Sequence, residues 1–274
     1  MINNICHILA LPYPARGHIN PMMNLCKLLA SKRPDLLITF VTEETYTSSG
    51  AGNFPPNIRF SYIPNGIIPS EESHAKDVFA FGLAVMSKLG APFEQILDGL
   101  QTPAVTLILT DFFLSFAIHA GSRRNIPVAA LWISTVTEFS MQCHLNLFKE
   151  KQFPTDLEEH ENDVVDFVPG ISPVRVSNLP RLFLENGQSI ALDVWNLELP
   201  ISKIQYLVSP SVYELESQVF DFLRSKFDFP IHPCGPLIPH FEINNDNPTS
   251  TPDYIEWLNS QPRSSVLDFE VYVD

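Results

Sequence analysis

Glycine is scarce in this chain: 11 of 274 residues, about 4% against the roughly 7% of average proteins. It has no period, which excludes collagen-like and glycine-rich linker architectures. G-x-G-x-x-G, G-x-x-x-x-G-K-[ST] and G-x-S-x-G are all absent. The dinucleotide fingerprint, the phosphate loop and the nucleophile elbow are therefore missing. Cysteine is sparse too. Cys6, Cys26, Cys143 and Cys234 are scattered, with no C-x-x-C or Cys/His cluster, so no metal site is expected. Cys6 and Cys26 fall in apolar runs and read as reduced core residues. No apolar run reaches the ~18 residues of a membrane helix. No basic stretch followed by a long apolar one opens the chain, and no N-x-[ST] acceptor occurs. A soluble, cytoplasmic location without a membrane span is the expectation.

Positive charge is also short. There are 17 Lys and Arg against 31 Asp and Glu, a net charge of −14. The excess lies wholly in residues 138–274. Such a balance argues against a nucleic-acid partner, which needs a basic surface, and reads as a solvated acidic surface. What the chain does have is apolar content, 45% hydrophobic residues, with a mean hydropathy of +0.05. That excludes a disordered chain and allows a sizeable core. Proline is abundant at 24 residues.

Short apolar runs alternate with helical patterns through the first half. Residues 5–12, 36–42, 58–63, 104–110 and 127–133 read as strands, the first nearly continuous in apolar residues, as a strand buried on both faces is. After the turn YPARGHINP, Asn20 is positioned as an N-cap with Pro21 opening a helix. Residues 75–100 predict one helix or two, with Phe79, Leu83, Met86, Phe93, Leu97 and Leu100 on one face and Pro92 restarting the helix. Helices to about Asn125 and over 135–150 come next. Beyond an acidic, proline-punctuated excursion at 151–200, a strand at 204–208 precedes S-V-Y-E at 211–214, a capping-box signature for a helix to Lys226. This alternation implies βαβ crossovers: an α/β fold with a doubly wound, mostly parallel sheet.

Ligands of such sheets sit at the carboxyl ends of the strands. His18 lies in the turn after the first strand, and Asp111 ends the run 104–110. If the two strands neighbour the switch point, the side chains can meet. A carboxylate on one ring nitrogen fixes the imidazole tautomer and leaves the other nitrogen to take a proton from a hydroxyl. A turn histidine and a strand-end aspartate are, by spacing alone, more often capping or surface residues. Phe112, Phe113, Phe116, Phe139 and Met141 offer an apolar pocket beside Asp111, or core. Glu43 and Glu44 read as solvated loop charges. His119, His144, His232 and His240 lack metal-ligand spacing.

The run LALPYPARGHINPMMNLCKLLASK (9–32) resembles the first strand, loop and helix of the plant UDP-sugar-dependent glycosyltransferases of small molecules. Further stretches resemble that family in order: TDFF (110–113), IPVAALWISTVTEFS (126–140), VSPSVYELE (208–216), HPCGPLIP (232–239) and DYIEWLNSQPRSSVL (253–267). The resemblance implies the N-terminal domain of a GT-B fold. Residues 1–239 would be a Rossmann-like acceptor-binding domain, 240–253 a linker, and 254–274 a truncated start of the donor-binding domain. By resemblance His18 is the general base and Asp111 its partner. Gly17, Phe112, Phe113, Ser134, Thr135 and Phe139 would line the acceptor site. The family reaction inverts the sugar carbon without metal or covalent intermediate. UDP-sugar is a co-substrate rather than a bound cofactor, and a small-molecule aglycone is the partner.

Two departures stand out. Ile133 follows the tryptophan where the family often has threonine. After SSVL the chain reads DFEVYVD, without the Trp-, His- and Gln-containing donor signature. The expectation is a chain inactive alone. The alternatives are a non-catalytic aglycone-binding module and a non-functional truncated product. A nucleotide-dependent oxidoreductase is disfavoured by the missing glycines.

Overall fold

The computed structural model describes residues 6–43, 54–64, 66, 78–100, 103–151, 160–180, 183, 201–239 and 260–262. The linker expected at 240–253 lies outside these residues, as does 254–274 apart from 260–262. The chain divides into two compact units, Met1–Leu237 and Ile238–Asp274. The first contains His18, Asp111 and the whole of the main sheet.

The centre of that unit is a parallel sheet built from β1 (Cys6–Leu11), β2 (Leu36–Glu43), β3 (Ile58–Ile63), β4 (Leu107–Asp111), β5 (Val128–Leu131), β8 (Tyr206–Ser209) and β9 (Ile231–Pro233). The spatial order is β3-β2-β1-β4-β5-β8-β9, and every pairing is parallel. The chain runs outward from β1 to β3, then crosses to β4 on the other side. The switch point therefore falls between β1 and β4, where an open α/β sheet leaves a crevice at its carboxyl edge. β6 (Val164–Val165) and β7 (Val174–Arg175) form a separate antiparallel pair, within the acidic, proline-punctuated excursion.

Alternate strand residues feed two cores, as the two-residue side-chain period requires. Ile8, Ala10, Ile38, Phe40, Leu109 and Leu131 pack with Met22, Met23 and Cys26 of α1 (Arg16–Lys32). Leu9, Leu11, Val41, Ile108, Val128 and Leu207 pack on the opposite face. There they meet α2 (Val78–Lys88), α3 (Gly90–Gly99), α4 (Ser115–Arg124) and a late helix. A third cluster joins Met141, Leu145 and Phe148 to Val165, Val176 and Phe183. It draws on α5 (Val136–Cys143) and α6 (Leu145–Glu150). Helices on both faces make the sheet doubly wound. At Gly121 of α4 an added Cβ would overlap Val128 Cγ2 and lie 3.0 Å from the Ile126 carbonyl oxygen, so the glycine lets α4 sit directly on β5.

At the amino edge a polar chain crosses three strands. Arg59 Nε donates to Thr39 Oγ1 at 2.8 Å. His7 Nε2 lies 2.7 Å from Thr39 Oγ1, and Nδ1 2.8 Å from the Pro103 carbonyl oxygen. Burial pushes the His7 pKa down, with a smaller push from Arg59. The ring is therefore neutral: Nδ1–H donates to Pro103 and Nε2 accepts from the threonine hydroxyl.

Several local expectations are corrected. α1 begins at Arg16, with extended Ala15 before it, not at Pro21. Asn20 is thus a helix residue and Pro21 lies inside the helix. Cys6, first residue of its strand, is exposed. The helix pair breaks at Leu89, and this shifts the buried face to Phe81, Val85, Leu89, Phe93 and Leu97, leaving Leu83 exposed. The Phe79 side chain lies outside the described residues. The late helix, α7 (Tyr213–Lys226), starts after Val212 without a side-chain cap. Its expected capping box does not form, because the Ser211 hydroxyl accepts from Val136 N instead.

Candidate active site

Four residues, Pro12 to Ala15, separate β1 from α1, so the first helical turn lies over the carboxyl edge of the sheet. The Ala15 carbonyl accepts from His18 N and Ile19 N, both at 2.9 Å, which fixes that turn. His18 occupies it on the side facing β4. Its Nδ1 is 2.7 Å from Asp111 Oδ2. Asp111, the last residue of β4, has the opposite side-chain parity to the apolar Ile108 and so points toward α1. Its other oxygen, Oδ1, accepts from Phe113 N at 3.0 Å.

The pair is asymmetric in exposure: the His18 side chain is 18% exposed and Asp111 1%. A buried carboxylate with both oxygens bonded holds the ring in one orientation, with Nδ1–H donating. His18 Nε2 then carries a lone pair and has no partner among the described residues. This is the arrangement of a general base with its orienting acid.

Tyr13 and Phe113 flank the imidazole, with ring centroids 4.8 Å and 6.3 Å away. Tyr13 also packs on Phe81 at 5.8 Å. Burial, with a smaller push from the Asp111 charge, moves the Tyr13 phenol far above its ordinary pKa. It stays neutral and packs against the His18 ring. Sequence reasoning missed Tyr13, although its place five residues before the histidine in the same loop was a usable signal.

The other expected site residues divide. Gly17 precedes His18 in the first turn of α1, and nothing lies within 4 Å of where its Cβ would be, so the space beside the base is open. Phe113 is partly buried against the core. Phe112 and Phe139 are core residues, 1% and 0% exposed. They pack edge-on with each other at 5.3 Å and with Trp132 at 5.4 Å. Ser134 and Thr135 open α5, and both hydroxyls are engaged in the helix start. Thr135 Oγ1 accepts from Glu138 N at 3.1 Å, and the Ser134 hydroxyl donates to the Glu138 carboxylate. The same turn is held from outside. Val136 N donates to Ser211 Oγ at 3.1 Å, and Thr137 N donates to Glu216 Oε1 at 3.0 Å. Glu216 can reach because its own backbone leaves the helical region within α7. Ile133 packs against the α1-side core and brings no hydroxyl to the crevice.

A Rossmann-like α/β sheet with a histidine–aspartate pair at its switch point is the class this molecule presents, and its structural neighbours are GT-B glycosyltransferases. One is a UDP-glucosyltransferase from Polygonum tinctorium capable of glucosylating indoxyl. It superposes with a TM-score of 0.68 at 20% identity, over 94% of this chain and 56% of that one. In sequence, the chain is 43% identical over 261 residues to UDP-glycosyltransferase 87A1 of Arabidopsis thaliana, covering 94% of this chain and 58% of the relative. It is 28% identical to 7-deoxyloganetin glucosyltransferase of Catharanthus roseus, covering 95% and 59%. No family model matches the chain. Nearly all of the chain is thus similar to plant UDP-glycosyltransferases, and it spans a little under three fifths of the length of these relatives. Among the described residues no helix is long and apolar enough to cross a membrane.

Proposed function

We propose that Met1–Leu237 is the acceptor-binding, nucleophile-activating half of an inverting sugar transfer. The sugar, glucose by family resemblance, moves from a UDP-sugar to a hydroxyl of a small-molecule aglycone. The supporting observation is the 2.7 Å bond from His18 Nδ1 to Asp111 Oδ2, which leaves Nε2 with a lone pair. The acceptor hydroxyl gives its proton to His18 Nε2, and Asp111 stabilises the resulting imidazolium. The hydroxyl oxygen forms a bond to the anomeric carbon from the face opposite UDP. The bond to the diphosphate oxygen breaks and UDP leaves with the electron pair. No described residue is assigned to the diphosphate. Stabilising that departure needs fixed donors, and aligning acceptor and sugar in one cleft contributes roughly 7–11 kcal/mol in favourable cases.

In this reading the 274-residue chain alone transfers no glucose, and UDP binds it weakly or not at all. The experiment combines the chain with the donor-binding half of the 43%-identical relative, UDP-glucose and a panel of phenolic aglycones, with products read by mass spectrometry. Turnover that His18→Ala abolishes is expected. Turnover that survives His18→Ala overturns the assignment of the base. Aglycone binding without transfer in any combination overturns the catalytic role and leaves a binding module.

A further inference from the structure

One carboxylate at the same sheet edge leaves a buried oxygen unbonded. Glu43 closes β2, level with Ile63 of β3. Expected as a solvated loop charge, it is instead half-buried. Its Oε1 is buried without a hydrogen-bond partner, and Glu43 enters no ion pair among the described residues. Its companion Glu44 lies outside those residues.

Alternation along β2 fixes the face it occupies. Ile38 and Phe40 pack toward α1, and Val41 packs into the opposite core. Glu43, two residues beyond Val41, shares that opposite face. The core there contains Leu11, Tyr13, Ile63 and Phe81, none of which carries a cation. Tyr13, two residues beyond β1, packs into that same core. Tyr13 also packs against the His18 ring, centroids 4.8 Å apart, so one side chain borders both the base and the core toward which Glu43 turns. A buried carboxylate oxygen without a donor destabilises the fold that carries it, and an unmet acceptor beside a crevice marks a place that a ligand completes.

We infer that Glu43 belongs to the acceptor site and accepts a hydrogen bond from a second donor group, a hydroxyl or ammonium, at the end of the aglycone remote from the reacting hydroxyl. The inference rests on the acceptor-binding reading of the His18–Asp111 pair. β2 and β4 flank β1, so the backbones of Glu43 and Asp111 stand two strand spacings apart along the edge, roughly 10 Å, with their side chains on opposite faces of the sheet. A single-ring phenol cannot reach both ends. Two linked rings with a donor at each end can, lying across Tyr13. A carboxylate at the remote end of the aglycone meets like charge.

The test is calorimetric titration of the full chain with 4,4′-dihydroxybiphenyl and with 4-hydroxybiphenyl. The dihydroxy probe should bind about tenfold tighter or more, as a hydrogen bond to a charged acceptor allows. Glu43→Leu should bring the two affinities together by weakening only the dihydroxy probe. Glu43→Gln, which keeps an accepting oxygen, should retain part of the preference. Glu43→Leu should melt no lower than the parent, because it removes a buried oxygen that lacks a donor. Equal affinities in the parent chain, or a preference that survives Glu43→Leu, overturn the role of Glu43 and leave the acceptor site standing. No detectable binding of either probe overturns both.

Discussion

His18 and Asp111 are 93 positions apart in sequence, and their side chains meet at 2.7 Å. The contact exists because β1 and β4 are neighbours at the switch point, so a residue just after one strand and the last residue of the other share an edge. Asp111 has two bonds and almost no exposure, and it supports the fold as well as the base. Asp111→Ala strands the Phe113 amide and the His18 Nδ1–H, and should lower the unfolding free energy by about 1–3 kcal/mol in urea titration. Asp111→Asn keeps the shape but loses the carboxylate that sets the tautomer. With the donor half supplied, its rate should fall by a factor on the order of 10⁴, read as initial rate at saturating UDP-glucose.

Gly17 separates space from stability. Its Cβ would meet nothing within 4 Å, and alanine is the better helix former by about 1 kcal/mol. Gly17→Ala should keep or raise the melting temperature while weakening aglycone binding, because the methyl fills the opening beside His18. Unchanged affinity in titration calorimetry would show that no ligand uses that opening.

Acid should destabilise the protein through two histidines far from the crevice. Burial holds the pKa values of His7 and His144 below the ordinary imidazole value, with Arg59 and Lys226 respectively adding to the effect. Lys226 Nζ donates to His144 Nε2 at 2.8 Å, a bond that only a neutral ring can accept. The unfolded chain therefore binds more protons than the folded one once the pH drops below about 6.5. Stability is full above that value and falls as the pH goes lower. Urea midpoints at pH 7.5 and 5.5 measure the slope, and His144→Gln should flatten part of it.

Glu216→Ala tests the outside clamp on α5. It removes the acceptor for both Thr137 N and Thr137 Oγ1, the latter at 2.6 Å. A loss of about 1–2 kcal/mol is expected from the uncapped turn, seen as a lower melting temperature. Amide exchange at Thr137 should quicken before exchange in β5 does.

The parallel strands were readable because burial on both faces leaves nearly continuous apolar runs, as in Leu9–Leu11 and Ile108–Leu109. The pairing of His18 with Asp111 was readable as a possibility, since both end strands or follow them. Helix starts were not. The serine of S-V-Y-E is in sequence a cap for its own helix, but Ser211 bonds across to Val136, and only the packing of α7 on α5 decides between the two partners. Phe112 and Phe139 lie close to Asp111 along the chain, yet their rings turn inward to Trp132. Glu43 looked like any loop acid because β2 carries on to that residue, one beyond the run that marks it.

The His7–Thr39–Arg59 chain has a consequence at the opposite end of the sheet. A slip of β2 by one residue against β1 would carry Thr39 to the other face and break the links to His7 and Arg59 together. The polar chain therefore works as a detent that indexes three strands. Thr39 and Glu43 are four residues apart on β2, about 13 Å of strand. The alignment of groups along the ligand-facing rim is thus locked from the far side of the sheet. Mutating that lock should scramble specificity without touching any residue that meets the ligand.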